Sequence, residues 1–249
     1  MSGHSKWATI KHKKGAQDKA RGKLFAKLIR QVEVAARAGG SDLDSNATLR
    51  TMYQKARDNS VPLDTIERAI KRGSGELEGV TYEAITYEGY APNGVALLIE
   101  VLTDNRNRIG SEVRSVMKKS GGSIAEPGAV AWQFERKGIV VVPRSVDEDE
   151  VMLAALDAGA EDITDEGDTW RLTAEATDTP GLRSALEEAG IPVESSDVTM
   201  LPKAAVPLDS AEKAKAVLRL IDDLDDHDDV QDVYANFDVP DDILQAVAG

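Results

Sequence analysis

The sequence contains no cysteine, and this absence excludes several kinds of chemistry at once. Disulfides, thiolate metal sites and cysteine nucleophiles are ruled out, and such a chain suits a reducing cytosol. No apolar run approaches the roughly 18 residues of a membrane span, and the polar start at residues 1–6 lacks a signal-peptide pattern. We therefore expect a cytoplasmic protein with no membrane partner.

Histidine is also scarce, with only His4, His12 and His227, and no H-E-x-x-H pair occurs. Neither a P-loop nor a G-x-G-x-x-G sequence is present. The aspartates of residues 222–229 could suggest a divalent metal, but they lack the glycine and terminal glutamate of an EF-hand loop. A solvated acidic turn is the favoured interpretation, and a metal-dependent hydrolase is the least favoured. We expect no catalytic residue, metal, cofactor or small-molecule substrate, and hence no enzyme.

Charge is distributed unevenly along the chain, whose formal net charge is −14. Residues 1–75 hold 16 Lys+Arg against 7 Asp+Glu, whereas the remaining 174 residues hold 14 against 37. A basic module attached to an acidic body can bind a polyanion while the body faces away from it. This polarity predicts a nucleic-acid partner.

Residues 1–23 carry seven Lys+Arg against one acid, Asp18, and are interrupted by glycines. The pattern predicts an extended or flexible arm, and Trp7 argues against a purely solvating tail. Trp7 could stack on a base or anchor the arm to the helical body, and both roles remain open. We expect phosphate contacts to dominate binding. The candidate nucleic-acid-binding residues of this segment are Lys6, Trp7, Lys11, His12, Lys13, Lys14, Lys19, Arg21, Lys23 and Lys27.

Helical periodicity begins at Leu24 and continues to Gly39-Gly40. Two further helices are predicted, one from about 47 to 58 with Ser45 or Asn46 as its N-cap and one from 62 to 73. Together with the arm, they predict a three-helix domain over residues 1–79.

The acidic remainder predicts an α+β fold with two ferredoxin-like domains. Residues 82–102 form a hairpin, 106–120 a helix and 129–135 a returning strand. Residues 137–203 follow with the order βαββαβ. The helix at 210–224 and the strand at 230–237 cannot form a core alone. We therefore predict one domain from residues 80–136 plus 204–249, with the domain of residues 137–203 inserted into it.

Arg106 and Arg108 lie in the first turn of a helix that Asp104 or Asn105 would cap. The helix dipole disfavours cations there, so a bound phosphate could offset the cost. The alternative is that the two arginines pair with carboxylates such as Glu100 or Glu112. Both interpretations stay open, and Arg106 and Arg108 are included among the candidate nucleic-acid-binding residues.

Several segments resemble the signature sequences of the YebC family of gene-expression regulators. They include GHSKWATIKHKK at 3–14, FAKLIR at 25–30, IERAIKRG at 66–73, YEGY at 87–90, LTDNRNR at 102–108, GAVAWQF at 128–134 and the acidic run with its following strand at 222–237. The resemblance implies a three-domain architecture with one domain inserted into another. It also implies one of two targets: promoter DNA for a DNA-binding transcriptional regulator, or ribosomal RNA and the ribosome for a translation factor that relieves stalling at proline-rich stretches.

Overall fold

The computed structural model describes residues 17–248, with side chains described for 21–240 and 242–247. Its α-helices, in chain order, are α1 (Gln17–Gly39), α2 (Ala47–Asp58), α3 (Leu63–Ser74), α4 (Arg106–Lys119), α5 (Glu148–Leu156), α6 (Thr179–Glu188), α7 (Ala211–Asp225) and α8 (Asp241–Ala248). Its strands are β1 (Glu83–Tyr90), β2 (Ala96–Thr103), β3 (Ser123–Ile124), β4 (Phe134–Pro143), β5 (Ala160–Asp165), β6 (Thr169–Glu175), β7 (Ser195–Pro202), β8 (Val206–Pro207), β9 (Val230–Ala235) and β10 (Phe237–Asp238).

Chain contacts divide the described residues into two compact units. The first unit comprises residues 17–27, 80–135 and 201–248, and the second comprises 28–79 and 136–200. The fold is α+β, with N-terminal helices followed by antiparallel sheets. Among residues 17–248, no helix is both long enough and apolar enough to cross a membrane.

The first unit is built on a four-stranded sheet of order β3-β1-β2-β9. Strand β2 pairs antiparallel with both β1 and β9, and β1 pairs antiparallel with β3. Strand β2 is central in this sheet, and nearly all of its residues are buried, as its continuous apolar sequence predicts. Helices α4, α7 and α8 contribute to the same core, together with Phe237 and Leu208.

The second unit contains the inserted sheet, of order β5-β6-β4-β7. With the helices α5 and α6 between the strands, this is the βαββαβ ferredoxin-like arrangement that the sequence predicts. Its core includes Val140, Leu172 and Leu182, with Trp170 donating its indole N–H to the Val146 carbonyl at 3.0 Å. In chain order, all four strands follow β3 and precede β9, which both belong to the first sheet. The domain that they form is therefore inserted into the chain of the first.

Helices α1 and α3 pack closely in the second unit because residue 73 is a glycine. A Cβ atom at Gly73 on α3 would clash with the carbonyl oxygen of Glu33 and with the Cβ of Ala36, both on α1. The buried Glu33 carboxylate accepts a hydrogen bond from Arg72 Nε at 2.9 Å. Asn46 caps α2 by accepting the Leu49 backbone N–H at 3.0 Å, as expected.

Two bonds within the second unit join α2 to the inserted domain. Arg183 on α6 reaches both carboxylate oxygens of Asp58, at 2.8 and 3.3 Å. Burial lowers the pKa of Arg183, but the carboxylates of Asp58 and Glu187 together outweigh this effect and the net shift is upward. Lys55 Nζ lies 2.6 Å from Asp197 Oδ2. These contacts predict that α2 and the inserted domain unfold together.

Three predicted elements differ from the structure. Helix α1 begins at Gln17 rather than Leu24, because Gly22 lies within the helix instead of interrupting it. The strand predicted over 129–135 was wrong: residues 131–133 form a 3-10 turn, and β3 at 123–124 completes the first sheet. The strand predicted over 230–237 is divided at Asn236, whose buried amide oxygen accepts the Ala96 backbone N–H at 2.7 Å.

Candidate nucleic-acid interface

The sequence places most candidate residues in the N-terminal arm, of which the described residues include only the final part. Lys6, Trp7, Lys11, His12, Lys13 and Lys14 lie outside the described residues. Lys19 lies on α1, but its side chain is not described. The structure therefore positions three candidates of this segment, Arg21, Lys23 and Lys27, all on the first turns of α1.

Arg21, Lys23 and Lys27 differ in what they contact. Arg21 is exposed, and its guanidinium carbon lies 5.3 Å from the centre of the Phe25 ring. Lys23 Nζ donates to Asp226 Oδ1 at 2.5 Å and to the Asp226 carbonyl at 2.9 Å. Lys27 Nζ donates to the Asp225 carbonyl at 2.9 Å. Both lysines therefore bind the C-terminal end of α7, where the helix dipole favours cations.

Residues 222–229 form an acidic turn that makes ordered contacts within the first unit. Its Asp229 side chain is 8% exposed and accepts hydrogen bonds from Thr103 Oγ1 at 2.8 Å and from Arg108 at 2.6 Å. His227 Nε2 lies 2.9 Å from Glu112 Oε2, and His227 Nδ1 accepts the Asp229 backbone N–H. The turn is therefore part of the packing around α4.

Arg106 and Arg108 occupy different environments at the start of α4. Asn105 caps the helix by accepting the Arg108 backbone N–H at 3.1 Å. The Arg108 guanidinium pairs with Asp229 and also lies 3.0 Å from Asp104 and 3.9 Å from Glu112. The hydrogen bond to Asp229, together with the neighbouring carboxylates, raises the pKa of Arg108. Arg106 is exposed.

The outer side of α4 carries a row of cations spaced four residues apart, Arg106, Arg114 and Lys118, with Gly110 in the remaining position of the row. All three are exposed, and none makes a side-chain ion pair with another residue in the described part of the chain. A Cβ at Gly110 would lie 3.1 Å from both an Arg114 nitrogen and the Tyr87 hydroxyl. Glycine therefore leaves room for the Arg114 side chain. We refer to Arg106, Arg114 and Lys118 as the α4 row.

A loop around a buried glutamate is a feature that sequence reasoning missed. The Glu88 carboxylate accepts the backbone N–H groups of Gly128, Val130 and Ala131 at 2.6, 2.7 and 2.9 Å. Burial raises the pKa of Glu88, but these three hydrogen bonds outweigh it and the net shift is downward. The loop presents Trp132, which is 68% exposed. The available sequence signal was Glu88 itself, an acidic residue at a position of β1 whose side chain faces the protein interior.

The acidic residues of the described range do not converge as metal ligands. Among the side chains described at residues 21–240 and 242–247, no group of three or more from His, Asp and Glu could hold a metal ion. The aspartates of the acidic turn instead contact Lys23, Thr103 and Arg108.

The geometry defines a class of α+β protein in which N-terminal helices precede two four-stranded antiparallel sheets. The strands of the second sheet are inserted, in chain order, between those of the first, and exposed cations lie on α1 and α4. Comparison with known families then makes the assignment specific. The chain belongs to the TACO1/YebC family, whose N-terminal domain matches residues 5–76 and whose second and third domains match residues 82–237.

Relatives and a solved structure match nearly the whole chain. A protein of Thermobifida fusca is 56% identical over all of both chains, and one of Kineococcus radiotolerans is 55% identical over 99% of both. Each is named a probable transcriptional regulatory protein. The crystal structure of a conserved hypothetical protein from Aquifex aeolicus is 43% identical and matches with a TM-score of 0.83, covering 93% of this chain and 96% of that one.

Proposed function

We propose that this protein is a non-enzymatic regulator of gene expression that binds nucleic acid through its N-terminal arm and the first turns of α1. The observation that carries the proposal is the charge segregation, 16 Lys+Arg against 7 Asp+Glu in residues 1–75 within a chain of net charge −14. Phosphate contacts supply most of the affinity when such a segment binds nucleic acid. The acidic remainder then orients the molecule, because it is repelled by the same polyanion.

The described cations divide into two roles under this proposal. Lys23 and Lys27 already bind carboxylate and carbonyl oxygens at the end of α7, and they exchange these acceptors for phosphate oxygens. The α4 row offers further phosphate contacts through Arg106, Arg114 and Lys118. Arg108 has a positioning role, because its bonds to Asp229 and Asp104 hold the start of α4.

Duplex DNA is the first candidate target, because relatives of more than 50% identity are named as transcriptional regulatory proteins. The ribosome is the second candidate, and a specific feature of the sequence favours it. The arm carries Trp7 among its lysines, and stacking of an indole on an unpaired base suits irregular RNA better than a DNA groove.

Sedimentation with purified ribosomes, in parallel with duplex DNA binding, tests the proposal across a series of salt concentrations. Retention of one duplex over others at physiological salt, with ribosomes released, supports the transcriptional role. Ribosome binding that persists above the salt concentration that abolishes DNA binding supports the ribosomal role. The proposal is wrong if neither partner binds even at low salt, where phosphate contacts are strongest.

A further inference from the structure

Helix α5 exposes a large apolar surface in the inserted domain. Leu153 is 80% exposed, Leu156 67% and Met152 45%, and helical spacing places these three residues next to one another. The opposite side of the helix, with Val151 and Ala155, is completely buried in the core. A helix that is apolar on both sides is typical of one that packs against two surfaces. We call Met152, Leu153 and Leu156 the α5 face.

Acidic residues surround the α5 face. Glu148, Asp149 and Glu150 are exposed in the first turn of α5, one turn from Met152 and Leu153. A preference of carboxylates for a helix N-terminus accounts for these three in part. It does not account for the exposed Asp157, which follows Leu156 at the C-terminal end, where the dipole disfavours an acid. The α5 face thus has carboxylates at both ends, and no basic residue occurs on the helix.

The surrounding domain adds to this negative charge. Residues 136–200 contain 5 Lys+Arg against 16 Asp+Glu. Four of the five cations are engaged within the domain or with α2: Lys137 with Glu161 and Glu175, Arg144 with Asp165 and Trp170, Arg171 with Glu166, and Arg183 with Asp58. Few positive groups therefore remain to offset the carboxylates around the α5 face.

Charge decides which partner fits. Nucleic acid, an anionic membrane and the acidic body of a second copy of this chain would each bring further negative charge to the α5 face, and juxtaposed like charges oppose association. An apolar centre with an acidic border is complementary to an apolar strip bordered by Lys and Arg. Such a strip buries the two leucines in a central contact, while the charges at the rim orient the partner and accelerate the encounter.

We propose that the α5 face is a docking site for a partner protein that presents a basic amphipathic helix. The site belongs to the inserted domain, and binding at it does not depend on the cations of the arm, α1 or α4. The protein therefore has two recognition surfaces of opposite charge, of which only the basic one is suited to nucleic acid.

Titration of the full-length protein with two synthetic helical peptides tests this site. One peptide is an amphipathic helix of Leu and Lys, and the other has the same pattern with Glu in place of Lys. We expect the Leu/Lys peptide to bind and to shift the backbone NMR signals of residues 148–157, and the Leu/Glu peptide to leave them unchanged.

Variants distinguish docking from general charge attraction. The double variant Leu153→Gln/Leu156→Gln keeps every charge and removes only exposed apolar groups, so its circular dichroism and thermal unfolding midpoint should match those of the wild type. We expect its affinity for the Leu/Lys peptide to fall about tenfold or more. The matched control Leu63→Gln/Leu77→Gln changes two other exposed leucines of the second unit and should bind as the wild type does.

Two results would overturn the proposal. Equal binding of the Leu/Lys peptide to the wild type and to Leu153→Gln/Leu156→Gln would show that the acidic surface alone attracts it. Sedimentation equilibrium provides the other test. A dimer that forms in the wild type and is lost in this variant would show that a second copy covers the α5 face.

Discussion

Replacing Asp226 with asparagine is expected to strengthen nucleic-acid binding by releasing Lys23. Lys23 Nζ lies 2.5 Å from Asp226 Oδ1, and the Asp226 side chain is 76% exposed. An exposed ion pair of this kind is worth about 0.2–1 kcal/mol. If a phosphate must displace the carboxylate, removing it increases affinity by a factor of about 1.4–5. The pair is therefore a weak internal competitor for the proposed ligand.

The salt dependence gives a second expected result. Each phosphate contact contributes about 0.7 on a single strand and about 0.9 on a duplex to the slope of log affinity against log salt. Because Lys23 contacts phosphate in both proteins, Asp226→Asn should bind more tightly with the same slope as the wild type, whereas Lys23→Gln loses the contact and should have a slope shallower by that amount. Fluorescence anisotropy with a labelled oligonucleotide over a series of salt concentrations measures both the affinity and the slope.

Asp238→Asn is the matched control, because it removes one exposed carboxylate from the same unit without touching Lys23. Any gain that it shows reflects the change in net charge alone. If Asp226→Asn binds no more tightly than Asp238→Asn, and Lys23→Gln has the same slope as the wild type, Lys23 makes no phosphate contact and this reasoning is refuted.

Three further changes test the packing. Gly73→Ala should destabilise the protein by about 1–3 kcal/mol, because the added Cβ clashes with the backbone of α1. Gly181→Ala adds a Cβ in open space and should not destabilise it. Chemical denaturation measures the free energy of unfolding of both variants. Glu88→Gln should cost about 1–3 kcal/mol at neutral pH. Because the folded pKa of Glu88 is lowered, its stabilisation is complete above the ordinary value of 4.5 and is lost as pH falls through the folded pKa, so the difference should shrink in acid. Arg183→Met should cost about 1–3 kcal/mol, because it leaves the Asp58 carboxylate on α2 without its ion-pair partner, although the hydrogen bond from Gln54 remains. Exposed Arg57→Met should cost less than about 0.5 kcal/mol in thermal unfolding.

Sequence patterns spanning a few residues predicted the helix caps and the order of helices and strands, because these depend on short-range interactions. The sequence narrowed each of two helix caps to a pair of neighbouring polar residues, Ser45 or Asn46 and Asp104 or Asn105, because short polar side chains precede both helical patterns. The structure selects Asn46 and Asn105. The order of strands and helices in residues 137–203 was sufficient to predict the inserted ferredoxin-like sheet. The charge segregation that indicates a polyanionic partner is likewise a property of the sequence alone.

Long-range contacts account for what the sequence did not predict. Residues 129–133 have the composition of a strand, but the Glu88 carboxylate accepts the backbone N–H groups of Gly128, Val130 and Ala131, and these bonds hold the segment as a turn. Arg108 does lie near Glu112, one of the carboxylates that the sequence suggested, but its shortest ion pair is with Asp229. Asp229 lies 121 residues away, so local spacing could not indicate it. Helix α8 was missed because a single stretch of eight residues is too short to show a clear helical period. Its role becomes evident only where Leu244, Ile243 and Val247 pack into the core of the first unit.

The measurement that tests the central claim most directly compares two charge-reversal variants in the same nucleic-acid and ribosome binding assays. One is Lys11→Glu/Lys13→Glu/Lys14→Glu, and the other is Lys203→Glu/Lys215→Glu/Arg219→Glu, which makes the same change in net charge at exposed cations of the acidic body. We predict that the arm variant loses binding and has a shallower salt slope, whereas the body variant keeps most of its affinity. Equal loss in both, or unchanged binding by the arm variant, would contradict the account.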